Sequence, residues 1–212
     1  MSVATAESAR AARSARKPRG EGHARRAEIL AAAERIFVEH GYEGATIRKI
    51  ADEVGVSSTA LYMHFSDKSE ILEEICCTAF EQLMARNRDI VDSGMTTEAR
   101  VRRLLEAYMA FGFENPNAYR LVYCTRPSEA QGPQGVAQQL GRDLFRAFQD
   151  VVGELQTAGR LRVDATVAAQ VLWAGAHGLV SLIITKPYFE WEDQAVLARS
   201  TLDALFEGLL RK

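Results

Sequence analysis

Gly55 divides the run from Thr46 to Phe65 into two short pieces with apolar residues at helical spacing. Ile47, Ile50, Ala51 and Val54 precede the glycine, and Ala60, Leu61 and Phe65 follow it. Helices this short are marginal in water alone, so the two must pack on each other. Ile50, Ala51, Val54, Val56 and Leu61 are the side chains that can do so. Thr46 is a good N-cap for the first piece and Ser57 for the second, since a hydroxyl there can accept from a free backbone N–H of the first turn. Packed in this way, the pair leaves Ser57, Ser58, Thr59, Tyr62 and His64 as small or polar groups facing outward.

The rest of the chain keeps the same periodicity. Ile29, Ala33, Ile36, Phe37 and His40 share one face of a first helix that begins near His23 and stops at Gly41. Asp67 with Glu70 makes a capping-box-like start to a long helix reaching about Val91. Thr96 or Thr97 opens a helix ending near Gly112 to Asn115, and Pro116 starts a short one through about Cys124. Pro127 to Gly135 reads as a loop. Helices from Val136 to Ala158, from Asp164 to Thr185 and from Glu192 to Leu210 complete the pattern, with Gly159 and Pro187 as breaks. Strand-like alternation and internal repeats are absent. The expected fold is all-α, with about nine helices in three parts: a basic arm over 1–22, a three-helix unit over 23–68 and a larger helical body over 69–212.

Composition excludes several classes. With 212 residues, 47% of them hydrophobic and 25% charged, the chain can bury a sizeable core and is not disordered as a whole. Val167 to Thr185 lacks acids, Lys and Arg, but its Gln170, His177 and small residues read as a buried core helix, not a membrane span. Cys76, Cys77 and Cys124 make no disulfide framework and read as reduced, inert thiols in a cytoplasmic protein. The four histidines, widely spread, show no metal-ligand spacing, and no cofactor motif is present.

The formal net charge of −2 hides an asymmetry. Residues 1–26 hold Arg10, Arg13, Arg16, Lys17, Arg19, Arg25 and Arg26 against Glu7 and Glu21, while the remainder is acidic. A basic arm on an acidic body suggests a polyanion reached by one end of the molecule. The arm lacks the apolar centre of a secretory signal. A mitochondrial transit peptide, a solvated arm without a task, and an arm lying along phosphates or in a minor groove are its three readings.

A short helix, a tight turn and a second short helix make a helix-turn-helix, whose second helix enters a major groove by its N-terminal end. Short hydroxyl side chains there allow close approach to base edges and phosphates. Thr46 and Lys68 stand at helix starts, where backbone N–H groups suit phosphate oxygens, and Arg48 can reach a guanine edge or a phosphate. Each has a plainer reading: Thr46 and Ser57 as caps only, Ser58, Thr59 and Arg48 as solvated positions, Tyr62 and His64 as packing, and Lys68 as a partner of Glu70 or Asp67.

The run Arg26 to Leu72, with GYE-TIR-IA-EVGVS and LY-HF-DK, resembles the DNA-binding domain of the TetR/AcrR family of bacterial transcription regulators. The resemblance implies a homodimer, a double-stranded DNA operator, and repression relieved by a small apolar effector bound in the helical body. It makes Thr46, Arg48, Ser57, Ser58, Thr59, Tyr62, His64 and Lys68 the expected DNA contacts. Efflux genes are one expected target; metabolic genes, or activation in place of repression, are the alternative.

After residue 70 no catalytic constellation appears, which argues against an enzyme. Aromatic residues are dense instead. They include Phe80, Tyr108, Phe111, Phe113, Tyr119, Tyr123, Phe145, Phe148 and Trp173, which fit a core and can also line an apolar cavity between helices. Trp173 and His177 share a helix face, and the W-A-G-A-H-G run resembles the WHG-type C-terminal domain found in part of the family. The expected ligand contacts are Tyr108, Phe111, Tyr123, Phe148, Trp173 and His177. Gly175 and Gly178 are expected to allow close helix approach. Leu202, Leu205, Phe206 and Leu209 supply an apolar stripe that reads as a dimer contact or as internal packing.

Overall fold

The computed structural model describes residues 21–124 and 135–211, and every regular element among them is a helix. In chain order these are α1 (Glu21–Gly44), α2 (Ile47–Val54), α3 (Ser58–Tyr62), α4 (Lys68–Val91), α5 (Thr97–Glu114), α6 (Pro116–Cys124), α7 (Val136–Thr157), α8 (Ala165–Thr185) and α9 (Gln194–Leu209). Residues 1–20, which make up most of the basic arm, residues 125–134, which include most of the expected loop, Lys212, and the side chains of Glu21 and Cys124 lie outside the described residues.

Caps set the boundaries. Thr46 Oγ1 accepts from the Lys49 N–H at 3.2 Å and Ser57 Oγ from Ala60 at 3.1 Å. The Asp67 carboxylate accepts from Ser69 and Glu70, while Glu70 reaches back to the N–H of Ser66 at 2.7 Å. Thr96 and Asp164 cap α5 and α8. The last helix starts at Gln194 and not at Glu192, because Asp193 takes the N–H groups of Ala195 and Val196. At Gly41 (φ 69°) the regular part of α1 breaks, and Gly55 (φ 72°) closes α2 in the left-handed conformation a side chain would resist.

Two cores result. The smaller holds Ile29, Phe37, Ile50, Leu61 and Phe65, and then Ile71, Leu72, Ile75 and Cys76 from the first turns of α4. The first two turns of α4 therefore belong to this core. The larger core joins α4, α5, α7, α8 and α9 around Leu104, Met109, Val152, Ala169, Val180 and Leu202. The helix α6 serves both: Leu121 belongs to the small core, Ala118 and Tyr119 to the large one, and Val122 packs against each.

Several expectations about the body change. Leu202 (0% exposed) and Phe206 (5%) are buried in their own subunit's core, and Leu205 and Leu209 pack against it, so this stripe is internal. Gly175 does permit close approach, since a Cβ there would lie 2.6 Å from Leu205 Cδ1; Gly178 faces open space. Gly112, not singled out by sequence, is the tighter crossing: a Cβ would sit 2.5 Å from Val180 Cγ1 and 2.9 Å from the Tyr119 ring. By length and composition α8 could cross a membrane, but Ala168, Ala169, Leu172, Ala176, Val180 and Ile184 give it a side buried in the large core. Its other side, Val167, Val171, Ala174 and Leu182, is exposed and uncharged.

Candidate nucleic-acid interface and ligand cavity

The helix α3 has one buried anchor, Leu61, at 0% exposure. With Leu61 turned inward, Ser57, Thr59 and Tyr62 face out and Ser58 is half-buried. Tyr62 is 55% exposed and Met63 82%, unusual exposure for side chains of their size. Thr46 and Arg48 are exposed at the start of α2, with Arg48 3.8 Å from Asp52. His64 lies beyond the last turn of α3 and is half-buried.

Lys68 sits differently from the expectation. Its ammonium donates to the carbonyls of Tyr42 (2.7 Å) and Ala45 (3.3 Å) and lies over the Tyr42 ring at 4.2 Å. It fastens the α1–α2 turn to α4, whose opening N–H groups at Ser69 and Glu70 are already taken by the Asp67 carboxylate. Arg25 and Arg26, counted with the arm, belong to α1. Arg25 pairs with Glu28 at 2.7 Å. Arg26 lies over the Phe65 ring at 4.0 Å and donates to Glu74 and to the His64 carbonyl. The Glu74 hydrogen bond raises its already high pKa. The guanidinium therefore clamps α1, the end of α3 and α4 together.

In the body, an apolar cavity of about 490 Å³ opens between α4, α5, α6, α7 and α8, a size suited to a drug-sized molecule. Tyr108, Tyr123, Phe148 and Trp173 line it as expected. Phe111 does not: it is 2% exposed in the core, with the Arg86 guanidinium 5.9 Å from its ring. His177 stands one layer back, its ring 5.7 Å from Trp173 and 5.5 Å from Tyr123. Phe80 and Phe145 also line the cavity, as do Asn87, Arg142, Arg146 and Gln149, which sequence reasoning did not pick out. A second cavity of about 340 Å³ shares the Asn87, Leu104, Leu144 and Phe148 wall.

Behind the cavity runs a buried hydrogen-bonded chain. Tyr108 Oη is 3.0 Å from Tyr119 Oη, which is 2.6 Å from His177 Nδ1. Burial, with Tyr119 adjacent, pushes the Tyr108 phenol well above its usual range, and burial lowers the His177 pKa. A neutral imidazole accepting at Nδ1 from Tyr119, with Tyr108 donating to Tyr119, fits these distances. Because the unfolded chain binds the His177 proton more readily than the folded one, stability falls as pH drops below 6.5 and is fully present above it. Urea melts at about pH 7.5 and about pH 5 should show this loss, and His177→Gln should flatten it. Glu70 and Glu154, with lowered carboxylate pKa values, act in the more acidic window below 4.5. The Cys76 thiol is pushed up to about 12 by burial and the Cys77 thiol is raised, so neither is a ready nucleophile.

Residues 29–75 match the profile "Bacterial regulatory proteins, tetR family", and residues 101–207 match "Tetracyclin repressor-like, C-terminal domain". The chain belongs to the TetR family. Among curated relatives, the transcriptional repressor KstR2 of Mycobacterium tuberculosis is 36% identical over 104 residues, 49% of this chain and 52% of KstR2. The transcriptional activator FasR of Mycolicibacterium smegmatis is 34% identical over 119 residues, 54% of this chain and 53% of FasR. The chain thus spans about half the length of the curated relatives it matches. In fold it is similar to the solved ketosteroid transcriptional regulator KstR2 of M. tuberculosis, with TM-score 0.76 and 25% identity over 89% of this chain and 96% of that one. It also resembles the TetR-family regulator PfmR of Thermus thermophilus (TM-score 0.70, 24% identity, 86% and 99% covered), which speaks to fold alone. The TetR N-terminal match contains Thr46 through Lys68, and the C-terminal match contains most of the cavity wall, from Leu104 to Trp173.

Proposed function

We propose that this protein is a ligand-responsive, DNA-binding transcription regulator that acts as a homodimer, each subunit placing α3 in a major groove. One observation carries this reading: Ser57, Thr59 and Tyr62 stand exposed on a short helix whose other side is locked by Leu61. Thr59 and Ser58 face base edges, while Tyr62, Arg48 and the first N–H groups of α2 take phosphates. The dimer contact is the uncharged face of α8 (Val167, Val171, Ala174, Leu182) continued by Val196, Ser200, Ala204 and Gly208 of α9, which are also exposed. A ligand in the cavity presses on Tyr123 of α6, and Leu121 on the same helix sits in the small core. Release from the operator follows if the ligand binds better when the two heads are spaced wrongly for their half-sites.

The likeness to the repressor KstR2, a ketosteroid regulator, supports repression, a lipid-like effector and metabolic target genes over efflux genes. The likeness to the activator FasR keeps activation as the second reading. The test is selection of duplexes from a random pool by the full-length protein. The expected product is an inverted repeat with half-sites about one helical turn apart, or a multiple of that. Removing residues 1–20 should then weaken binding and flatten its salt dependence. Enrichment of no sequence, or of an isolated half-site, would overturn the proposal.

A further inference from the structure

The cavity's polar groups do not suit a purely apolar occupant. Arg142, Arg146 and Gln149 line it from one side of α7, while Gly141, Phe145 and Phe148 form the adjoining apolar stripe. Glycine at 141 brings the Phe80 ring close: a Cβ there would lie 3.0 Å from Phe80 Cζ. Among the described residues no Asp or Glu lines this cavity. Outside it, Gln139 receives Arg142 Nη2 at 2.7 Å and donates to Asp143 at 2.8 Å, and Arg146 Nη1 is 3.6 Å from the same Asp143 carboxylate. Of the two guanidiniums at the mouth, Arg146 thus faces one carboxylate at long range and Arg142 a neutral amide, an excess of positive charge with donors to spare. Deeper in, the Asn87 Oδ1 is buried without a hydrogen-bond partner, on the wall common to both cavities. A buried orphan of this kind is costly unless something bound there completes it.

We propose that the effector is an anionic amphipath: an apolar body fills the aromatic chamber between Phe80, Tyr108, Phe145 and Trp173, a polar group on it meets Asn87, and a carboxylate or other acidic head lies against Arg142 and Arg146. This rests on the reading of the cavity as the effector site and replaces a small apolar effector with a charged one. The arginines supply discrimination more than total affinity. A neutral analogue still fills the chamber but leaves the mouth without its counter-charge.

The test uses the full-length protein carrying Trp191→Phe, which leaves Trp173 as the sole tryptophan, on the cavity wall. Its fluorescence is titrated with two matched pairs below their aggregation limits: dodecanoate against dodecan-1-ol, and 5β-cholan-24-oate against the corresponding 24-alcohol. The expected result is binding of at least one pair, with the acid about 10-fold or more tighter than its alcohol. In the Arg142→Gln, Arg146→Gln double variant that preference should vanish while alcohol affinity is kept. Whichever pair binds separates a straight-chain from a ring-bodied ligand. Equal affinity for acid and alcohol, or an acid preference that survives the double variant, overturns the anionic head and leaves the effector site standing. If no probe perturbs Trp173, the effector-site reading fails with it.

Discussion

Replacing Phe65 with Ala should unfold the reading head at temperatures where the wild-type head is intact. Phe65 is 1% exposed, and its ring carries the Arg26 guanidinium on one face. Truncation removes a buried aromatic and leaves a cavity, a loss of about 3–5 kcal/mol. It also frees Arg26 from the surface on which its contacts to Glu74 and the His64 carbonyl are organised. Urea denaturation followed by circular dichroism measures the effect. Met63, two residues earlier and 82% exposed, is the control: Met63→Ala should leave the midpoint essentially unmoved. Equal loss in both variants would mean that α3 is not seated as described.

Tyr62→Ala should reverse that pattern, with stability kept and DNA binding lost. The ring is more than half exposed and contributes little to the small core, so melting should match the wild type. Loss of one phosphate contact and its packing against the backbone should weaken operator binding by about 10-fold in each half-site, to similar extents across sequence variants, because a phosphate contact carries no base information. Gel-shift titration on the selected duplex, with light scattering to check the dimer, is the measurement. Undiminished affinity would remove α3 from the groove.

Much of the fold was legible because its boundaries are set locally. Thr46, Ser57, Asp67, Thr96 and Asp164 each satisfy backbone groups within three residues of themselves, so residue type and spacing suffice to find them. The faces were harder. Leu202 and Phe206 form an apolar stripe whether it points into their own subunit or toward a second one, and only the path of α5, α8 and α9 decides that it points inward. For the same reason Phe111 looked as suitable for the cavity as Tyr108, three positions before it on α5. Lys68 reads as a surface cation from sequence because its partners, the Tyr42 and Ala45 carbonyls, are backbone atoms of another helix turn. Asn87, Arg142 and Arg146 were missed because polar residues on long, partly solvated helices are the default. What distinguishes them is the hollow they adjoin, and a hollow leaves no local trace in a sequence.

The position of α6 also bears on how such a chain can change over generations. Tyr123 lines the chamber and Tyr119 is buried behind it, while Leu121, between them, is built into the other core. Selection for a new chemical signal acts most directly on the chamber wall, but along this stretch alternate side chains answer to different clients. A substitution that reshapes the wall here also disturbs the helix that carries Leu121 into the head's core. New signal preferences should therefore accumulate along α5 and α7, while α6 stays comparatively frozen.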